Sequence, residues 1–234
     1  IPLMEVPGTI LFGSVFLVVV LASVWGTVST AQTAREAMSM RPPEEGGPRR
    51  WVVGGERLKV FAEPSVKSGV IGSFSGGDVL ANLGCLAKTD ASWCDVRSIR
   101  GGMRGFVDAK RLQAATGPDG IIAMGVDKSK QRARRRDFDA KAEVPCAQER
   151  GQSMGRCVAA VARGGGGDAT IVVTFSNGFA RRLMFIHGEF VRASATMSGV
   201  GTDFDWHLAD GDHIIRVDDQ RYEVPDVLVL GGRS

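Results

Sequence analysis

The chain is poor in the side chains that most catalytic and metal centres use. Its 234 residues include only three histidines, one tyrosine and four cysteines. It has no Gly-x-Ser-x-Gly motif, and no Gly-Lys-Ser/Thr follows the four glycines at 164–167, which excludes a nucleophile elbow and a phosphate-binding P-loop. No Cys-x-x-Cys pair is present, which argues against common zinc and thiol redox sites. We therefore predict a protein that is not an enzyme and holds no cofactor.

The histidines offer one metal site to consider. His207 and His213 flank the turn at Asp210 and Gly211, with Asp203 and Asp205 nearby. Imidazole and carboxylate groups together can bind zinc. The turn preferences of Asp and Gly explain the same residues without a ligand, and we favour that interpretation. The sequence therefore predicts no metal.

Charge is also modest. The formal net charge is +3 and 24% of the residues are charged, so the chain as a whole is neither disordered nor a polytopic membrane protein. A charge of this size does not indicate nucleic-acid binding, and no aromatic residues are interleaved with the basic ones to stack on bases. We predict no nucleic-acid partner.

One long uncharged run is present near the start. No charged side chain occurs from residue 6 to residue 34, and about 20 apolar residues suffice to cross a bilayer as a helix. A cleaved signal peptide ending near Ala31 is the alternative, but the run is longer than an ordinary signal core. We predict a single transmembrane anchor over 1–34 in contact with the lipid bilayer. The residues predicted to form the membrane anchor are Ile10, Leu11, Phe12, Phe16, Leu17, Val18, Val19, Val20, Leu21 and Trp25.

The cysteines indicate the compartment. Cys85 and Cys94 are close in sequence, as are Cys146 and Cys157, so local pairing is the simplest of the three possible connectivities. Two disulfides need an oxidising compartment. The positive-inside rule favours the opposite orientation, because arginines follow the uncharged run at positions 35, 41, 49 and 50. Large domains translocate largely regardless of such charges, so we predict a bacterial inner-membrane protein with its bulk in the periplasm.

Proline, glycine and charge divide the remaining chain. Residues 35–50 are rich in Pro and Gly and predict a linker. Residues 51–115 contain short β-type runs separated by turn residues, which predicts a small barrel. Residues 116–142 form a basic linker, and residues 143–234 read as β-hairpins, with Asn177-Gly178 as the strongest turn signal. The predicted fold class is mainly β: an N-terminal helix, a small barrel and a second antiparallel, hairpin-rich domain.

The basic linker has two interpretations. It concentrates seven Lys and Arg residues between positions 127 and 141, interrupted by three aspartates. Such a run can contact an anionic surface, such as lipid headgroups or an acidic protein, or it can be a solvated connector. We favour the connector and keep as candidate binding residues the arginines at its centre, Arg134, Arg135 and Arg136.

Residues 51–115 resemble the bacterial SH3-like (SH3b) domain family. The resemblance is carried in order by LKVFAEPS at 58–65, VIGSFSGGDVL at 70–80, WCDV at 93–96 and the segment 105–112, which opens with GFV. It implies a small SH3-like β-barrel. It also implies three candidate binding residues on that barrel, Phe61, Trp93 and Phe106.

The sequence departs from the family pattern at positions that bear on the ligand. Phe61 stands where the family usually has Arg, Glu63 where it has Gly, and Phe106 where it has Trp. The family is often associated with cell-wall binding, and these changes argue against its standard peptidoglycan contact. Wall hydrolases that carry such domains also need a catalytic cysteine, whereas here all four cysteines are expected in disulfides.

The last segment resembles a region that often follows an SH3-like domain in alphaproteobacterial envelope proteins. The shared residues are Pro145-Cys146, Gly155-Arg156-Cys157, the segments 161–165 and 170–173, Arg221 to Asp226, and Gly231-Gly232. That region has no assigned activity, so the resemblance implies only architecture and compartment.

These observations predict a non-catalytic interaction protein. We expect an accessory or stabilising subunit of an integral membrane protein complex, for example a respiratory or photosynthetic one. The contacts would involve both the transmembrane helix and the periplasmic domains. The alternative is a tether that binds peptidoglycan and links the inner membrane to the cell wall.

Overall fold

The structure, a computed structural model, describes residues 40–87, 91–195 and 203–232. The predicted transmembrane anchor over 1–34 lies outside these residues. Within the described parts of the chain, no helix is both long enough and apolar enough to cross a membrane. All described residues belong to one compact unit, Met38–Ser234.

The fold is mainly β, as predicted from the sequence, and it contains two sheets. Within the described residues, seven antiparallel-paired strands build the first sheet in the order β3-β2-β6-β5-β4-β1-β7. Their bounds are β1 (Arg50–Val53), β2 (Arg57–Phe61), β3 (Val70–Ser75), β4 (Val79–Ala87), β5 (Ser92–Ser98), β6 (Arg104–Asp108) and β7 (Leu112–Ala114).

Alternation of side chains gives the first sheet its core. In β2 the buried Leu58 and Val60 alternate with the exposed Arg57 and Lys59, since successive side chains of a strand point to opposite faces. Val60 packs with the other inward-facing residues of this sheet, among them Trp51, Leu80, Cys94, Val96 and Val107. Every second residue of these strands is consequently presented on the outer face.

The second sheet has eight strands within the described residues, in the order β12-β11-β10-β9-β8-β15-β14-β13. Phe190 and Phe204, from the two edge strands, approach with ring centroids 5.3 Å apart. One of the two sheets is nearly barrel-shaped. The strands are β8 (Ala140–Ala147), β9 (Gly155–Gly165), β10 (Asp168–Thr174), β11 (Ala180–Ile186), β12 (Glu189–Ala193), β13 (Phe204–Ala209), β14 (Asp212–Val217) and β15 (Gln220–Pro225).

Tight turns join the hairpins of the second sheet. Asn177 and Gly178 lie between β10 and β11, where the sequence predicts a hairpin. At the next turn His187 and Gly188 have φ values of 53° and 78°. Both central residues of a type I′ hairpin turn need positive φ, and this turn matches the right-handed twist of the strands.

Both predicted disulfides are present. Cys85 of β4 bonds to Cys94 of β5, and Cys146 of β8 bonds to Cys157 of β9. Cys94, Cys146 and Cys157 are buried, and no cysteine remains free. Each disulfide therefore fastens two neighbouring strands of one sheet.

The two segments expected to be linkers are folded over much of their described length. Pro43–Glu45 forms a 3-10 helix, and Arg50 already belongs to β1. In the second segment, helix α1 (Ser129–Arg134) packs on β9 and β10 and thereby buries Ser129 and Ala133. Strand β8 begins at Ala140, within the same segment. A second short helix, α2 (Asp226–Leu230), follows β15.

Candidate binding surface

An apolar row crosses the outer face of the first sheet at its open edge. Phe61 of β2 is the register partner of both Val70 on β3 and Phe106 on β6. Trp93 of β5 contacts Phe61 from the same side. We call Val70, Phe61, Phe106 and Trp93 the aromatic strip. The structure therefore brings together the three aromatic residues that the sequence marks as candidates.

Strand alternation explains why these aromatic side chains face outward. Their chain neighbours Val60, Cys94 and Val107 fill the core, so the preceding or following residue must point away from it. The register shifts between Val60 and Phe61, where Ile71 of β3 is left without a partner on β2, as in a β-bulge. Bulges re-aim side chains, and this one lies where Phe61 joins the row.

The aromatic strip combines packed aromatic rings with partly exposed side chains. The Phe61 and Trp93 rings are 5.3 Å apart and nearly perpendicular, at 88°, which is a favoured edge-to-face arrangement. Trp93 is only 4% exposed, Phe61 and Phe106 are half-buried, and Val70 is 55% exposed. An incoming group would therefore meet an aromatic surface whose side chains are already packed. Binding would restrict few additional side-chain rotamers of the strip.

Polar residues border the strip on one side. Asp95 is the register partner of Phe106, and Arg104 donates two hydrogen bonds to its carboxylate, at 3.1 and 2.7 Å. The Asp95 carboxylate raises the pKa of Arg104 above its usual value. An apolar centre with a charged border is the usual anatomy of a protein interface.

The opposite side of the strip is the outermost strand of the sheet. Strand β3 pairs only with β2 among the described strands. Val66, Val70 and Ile71 are each more than half exposed in and beside it. Natural proteins usually protect an edge strand with charges or a covering segment, so an exposed apolar edge indicates an interaction site.

The basic candidates lie elsewhere in the fold. Arg134 ends α1, and Arg135 and Arg136 form the exposed turn after it, so all three belong to a helix that packs on the second sheet. None of the three makes an ion pair within the described residues. Arg132 of the same helix instead binds Asp137 and Asp139, which lowers the pKa of both carboxyl groups.

The two histidines considered for metal binding have different surroundings. His213 is fully buried, accepts a hydrogen bond from Trp206 Nε1 at 3.0 Å and places Nε2 3.0 Å from Asp226. Because indole only donates, the proton of the neutral ring is on Nε2, and burial lowers the pKa of His213. His207 is exposed on β13. Within the described ranges, no group of metal-binding side chains comes together.

A buried ionic joint between the sheets was not expected from the sequence. Asp168 of β10, 3% exposed, accepts hydrogen bonds from Arg49 at 2.8 Å and Arg50 at 3.1 Å. It also accepts the His187 backbone N–H at 3.0 Å. Arg50 and Asp168 are 118 residues apart, so no local pattern could have revealed their pairing.

The aromatic strip can bind an apolar or aromatic surface, and the chemistry of such contacts is packing and desolvation rather than bond making. No family model matches the chain, and no curated protein or solved structure matches it significantly. The residues and geometry of the strip are therefore the basis for a functional interpretation.

Proposed function

We propose that this chain is a non-catalytic, single-span membrane-anchored protein of a bacterial periplasm. In this proposal it is an accessory or stabilising subunit of an integral membrane protein complex. Residues 1–34 form the anchor, and the aromatic strip is the contact to the complex. The single observation that carries the proposal is the strip itself, an ordered aromatic row that is accessible and ends at an open strand edge.

The composition of the strip supports binding. Aromatic residues are enriched at interfaces and dominate their energetics, because they bury large areas with little loss of side-chain entropy. Trp93 packs edge-to-face against Phe61, and the Asp95–Arg104 pair borders Phe106. The partner we propose is an extended apolar segment of a complex subunit that lies along β3 and covers Val70, a recurrent mode of peptide recognition.

The compartment and the SH3-like fold belong to the same proposal. Two disulfides favour an oxidising compartment. A small seven-stranded sheet over 50–114, with its β4-β5-β6 meander, supports an SH3-like barrel. Small barrels serve many binding functions, so the fold alone does not identify the partner.

Purification of the tagged full chain from its own membranes in a mild detergent tests this proposal. Mass spectrometry should find a stoichiometric integral membrane complex with the wild type. Phe106→Ser should reduce the co-purified complex at least about 10-fold, the effect of losing a central interface aromatic. Val158→Ser is the matched control, because Val158 is an exposed apolar residue of the second sheet.

Two results would overturn the proposal. One is an equal loss of complex with Val158→Ser and Phe106→Ser. The other is a protein that purifies alone yet sediments with purified peptidoglycan sacculi, which would instead support the wall tether.

A further inference from the structure

Four apolar side chains project outward from a short stretch of chain between β7 and α1. They lie close together in sequence and are each between 43% and 52% exposed: Ile121, Ile122, Met124 and Val126. Single exposed apolar residues are ordinary on a protein surface, whereas a cluster of them marks a site of contact. The cluster therefore indicates an interaction surface.

The backbone of this stretch is held by hydrogen bonds. Ala123 is 6% exposed, and its carbonyl accepts the Arg49 backbone N–H at 2.8 Å. The Arg49 side chain donates to the Gly125 carbonyl at 2.7 Å, and the Gly125 N–H donates to the Gly47 carbonyl at 2.8 Å. The fold itself therefore presents the four apolar side chains on its surface.

Helix α1 continues this surface with positive charge. Its buried face is fixed by Ala133 and by Ser129, whose Oγ lies 3.0 Å from the buried Thr170 Oγ1. Five basic side chains in and beside the helix are exposed and make no ion pair within the described residues: Lys128, Lys130, Arg134, Arg135 and Arg136. We call residues 121–136 the apolar–basic segment.

One carboxylate lies between the apolar and the basic parts of this segment. Asp127 accepts the backbone N–H and the Oγ of Ser129, each at 2.8 Å, and lies 3.8 Å from Arg49. Arg49 also pairs with Asp168, which binds Arg50 as well. These two arginines and two aspartates balance each other, so Asp127 does not offset the charge of α1.

The carboxylates that follow α1 offset only a little of its charge. Asp137 and Asp139 are both bound by Arg132, each at 2.8 Å, so the three residues together carry one net negative charge. The five unpaired basic residues therefore keep an excess of about four positive charges, within the size of basic clusters that bind anionic lipid surfaces.

The apolar–basic segment lies beside the start of the described chain. The Cβ position of Gly125 is 3.9 Å from the Pro43 carbonyl oxygen. Under the proposed function, on which this inference rests, residues 1–34 anchor the chain in a bilayer. The stretch 35–39 spans at most about 20 Å. It therefore keeps the start of the described chain, and the segment beside it, close to the lipid surface.

We infer that the apolar–basic segment docks on the surface of an anionic lipid bilayer. The four apolar side chains enter the interfacial layer, and the five unpaired basic residues contact the phosphate headgroups. A bilayer offers both contacts side by side, and surface binding strengthens with buried apolar area and with attraction to anionic lipids. A purely acidic partner would pair the basic residues but leave the apolar side chains in water.

Fluorescence quenching in proteoliposomes tests this docking. The full chain carries Met124→Cys labelled with a fluorophore, and the native cysteines do not react because all of them are in disulfides. The vesicles contain phosphatidylcholine, phosphatidylglycerol and a lipid with a nitroxide on its upper acyl chain. Quenching at position 124 should be at least about 2-fold stronger than at a control position, because docked apolar side chains reach about 5–10 Å into the interface.

Val158→Cys provides the matched control position. Val158 is also an exposed apolar residue and lies on β9. The opposite end of this strand, at Gly165, is the part that approaches Ile121. At about 3.3 Å per residue, Val158 is about 23 Å along the strand from that contact. The docked segment should therefore leave the label at position 158 away from the lipid.

The charges of the lipid and of the arginines provide a second test. Vesicles of phosphatidylcholine alone should reduce the quenching at position 124 at least about 2-fold, because the basic residues then lose their attraction to an anionic surface. Arg134→Gln/Arg135→Gln should have the same effect in the mixed vesicles. Arg57→Gln/Arg192→Gln is the matched control, since both arginines are exposed and neither makes an ion pair in the described part of the chain.

The inference is overturned if quenching at position 124 in the mixed vesicles does not exceed that at position 158, a result that would instead favour an acidic protein as the partner. It is also overturned if omission of phosphatidylglycerol has no effect, or if the two double arginine variants behave alike. Flotation of the vesicles after a carbonate wash tests the anchor separately. Loss of the chain in the wash would contradict the proposed function, while the quenching measured without the wash still decides the inference.

Discussion

At the scale of single residues, Asp168 joins the two sheets. It is buried, it pairs with two arginines, and its second oxygen accepts a backbone N–H at the turn after β11. Burying a carboxylate is unfavourable unless charges and hydrogen bonds replace water, and this site supplies both. The contact between the two sheets at Asp168 therefore depends on the charges and hydrogen bonds that compensate for its burial.

Asp168→Asn should lower the free energy of unfolding by about 3–5 kcal/mol, because it leaves two guanidinium groups without their shared carboxylate. Urea unfolding of the full chain in mild detergent measures the change. Asp95→Asn is the control, because it removes a more exposed pair and should cost no more than about 1 kcal/mol. Equal effects of the two substitutions would contradict the assigned role of Asp168.

His213 makes stability depend on pH. Its pKa in the folded protein is below the ordinary value of 6.5, mainly because of burial, although Asp226 and Asp212 oppose the shift. The unfolded chain therefore binds the proton more readily than the folded one. The contribution of His213 to the free energy of unfolding should be fully present above about pH 6.5. It should decrease as the pH falls from there towards the pKa of His213 in the folded protein.

Urea unfolding at a series of pH values tests this linkage. His213→Gln should show a smaller loss of stability than the wild type between neutral and mildly acidic pH. His187→Gln serves as a comparison, because burial also lowers the pKa of His187. An unchanged acid dependence in His213→Gln would show that another group is responsible.

At the scale of elements, the sequence predicts strands and turns better than it predicts contacts. Alternation and turn residues mark the strands, and the spacing of the cysteines indicates both disulfides, because these signals are local. The 116–142 segment shows the limit. Its basic residues favour a solvated connector, yet Ser129 and Ala133 are buried against β9 and β10. No local sequence pattern encodes these contacts.

The candidate binding surface shows the same difference between features that local sequence signals predict and contacts that they do not. Phe61, Trp93 and Phe106 can be selected from the sequence, because the resemblance of residues 51–115 to SH3-like domains marks these positions. Val70 joins them only through the register of β3 on β2, with its bulge after Val60. A shift of register by one residue would move a strand's side chains to the other face, and sequence patterns do not define register this finely.

Helix α1 offers a comparison between two arginines. Arg132 binds Asp137, Asp139 and the Arg163 carbonyl, whereas Arg134 is exposed without an ion pair in the described parts. Arg132→Gln should lower the free energy of unfolding by about 1–2 kcal/mol, and Arg134→Gln should change it by less than about 0.5 kcal/mol. Urea unfolding of both variants measures the difference, and equal values would contradict the assigned role of Arg132.

The two disulfides should contribute similarly to stability. Their sequence separations are 9 and 11, so the loops that they close in the unfolded chain are of nearly equal length. Replacing either pair by alanines should cost about 2–5 kcal/mol, and the two double variants should agree within about 1 kcal/mol. Thermal unfolding of the two variants tests this expectation. A negligible effect of either replacement would contradict it.

At the scale of the whole molecule, the two sheets form one compact unit that presents distinct surfaces. The aromatic strip lies on the first sheet, and the basic turn after α1 lies on the second. A compact unit of this kind can hold a binding surface at a defined place beside a partner. We infer that the aromatic strip, and not any other exposed apolar residue, makes the contact with the partner.

Photo-crosslinking in living cells tests this claim most directly. A benzoylphenylalanine placed at position 106 of the full chain should crosslink, on irradiation, to a subunit of an integral membrane complex. The same group at the exposed position Lys141, on the second sheet, should not. No crosslink at position 106, or the same product from both positions, would contradict the account.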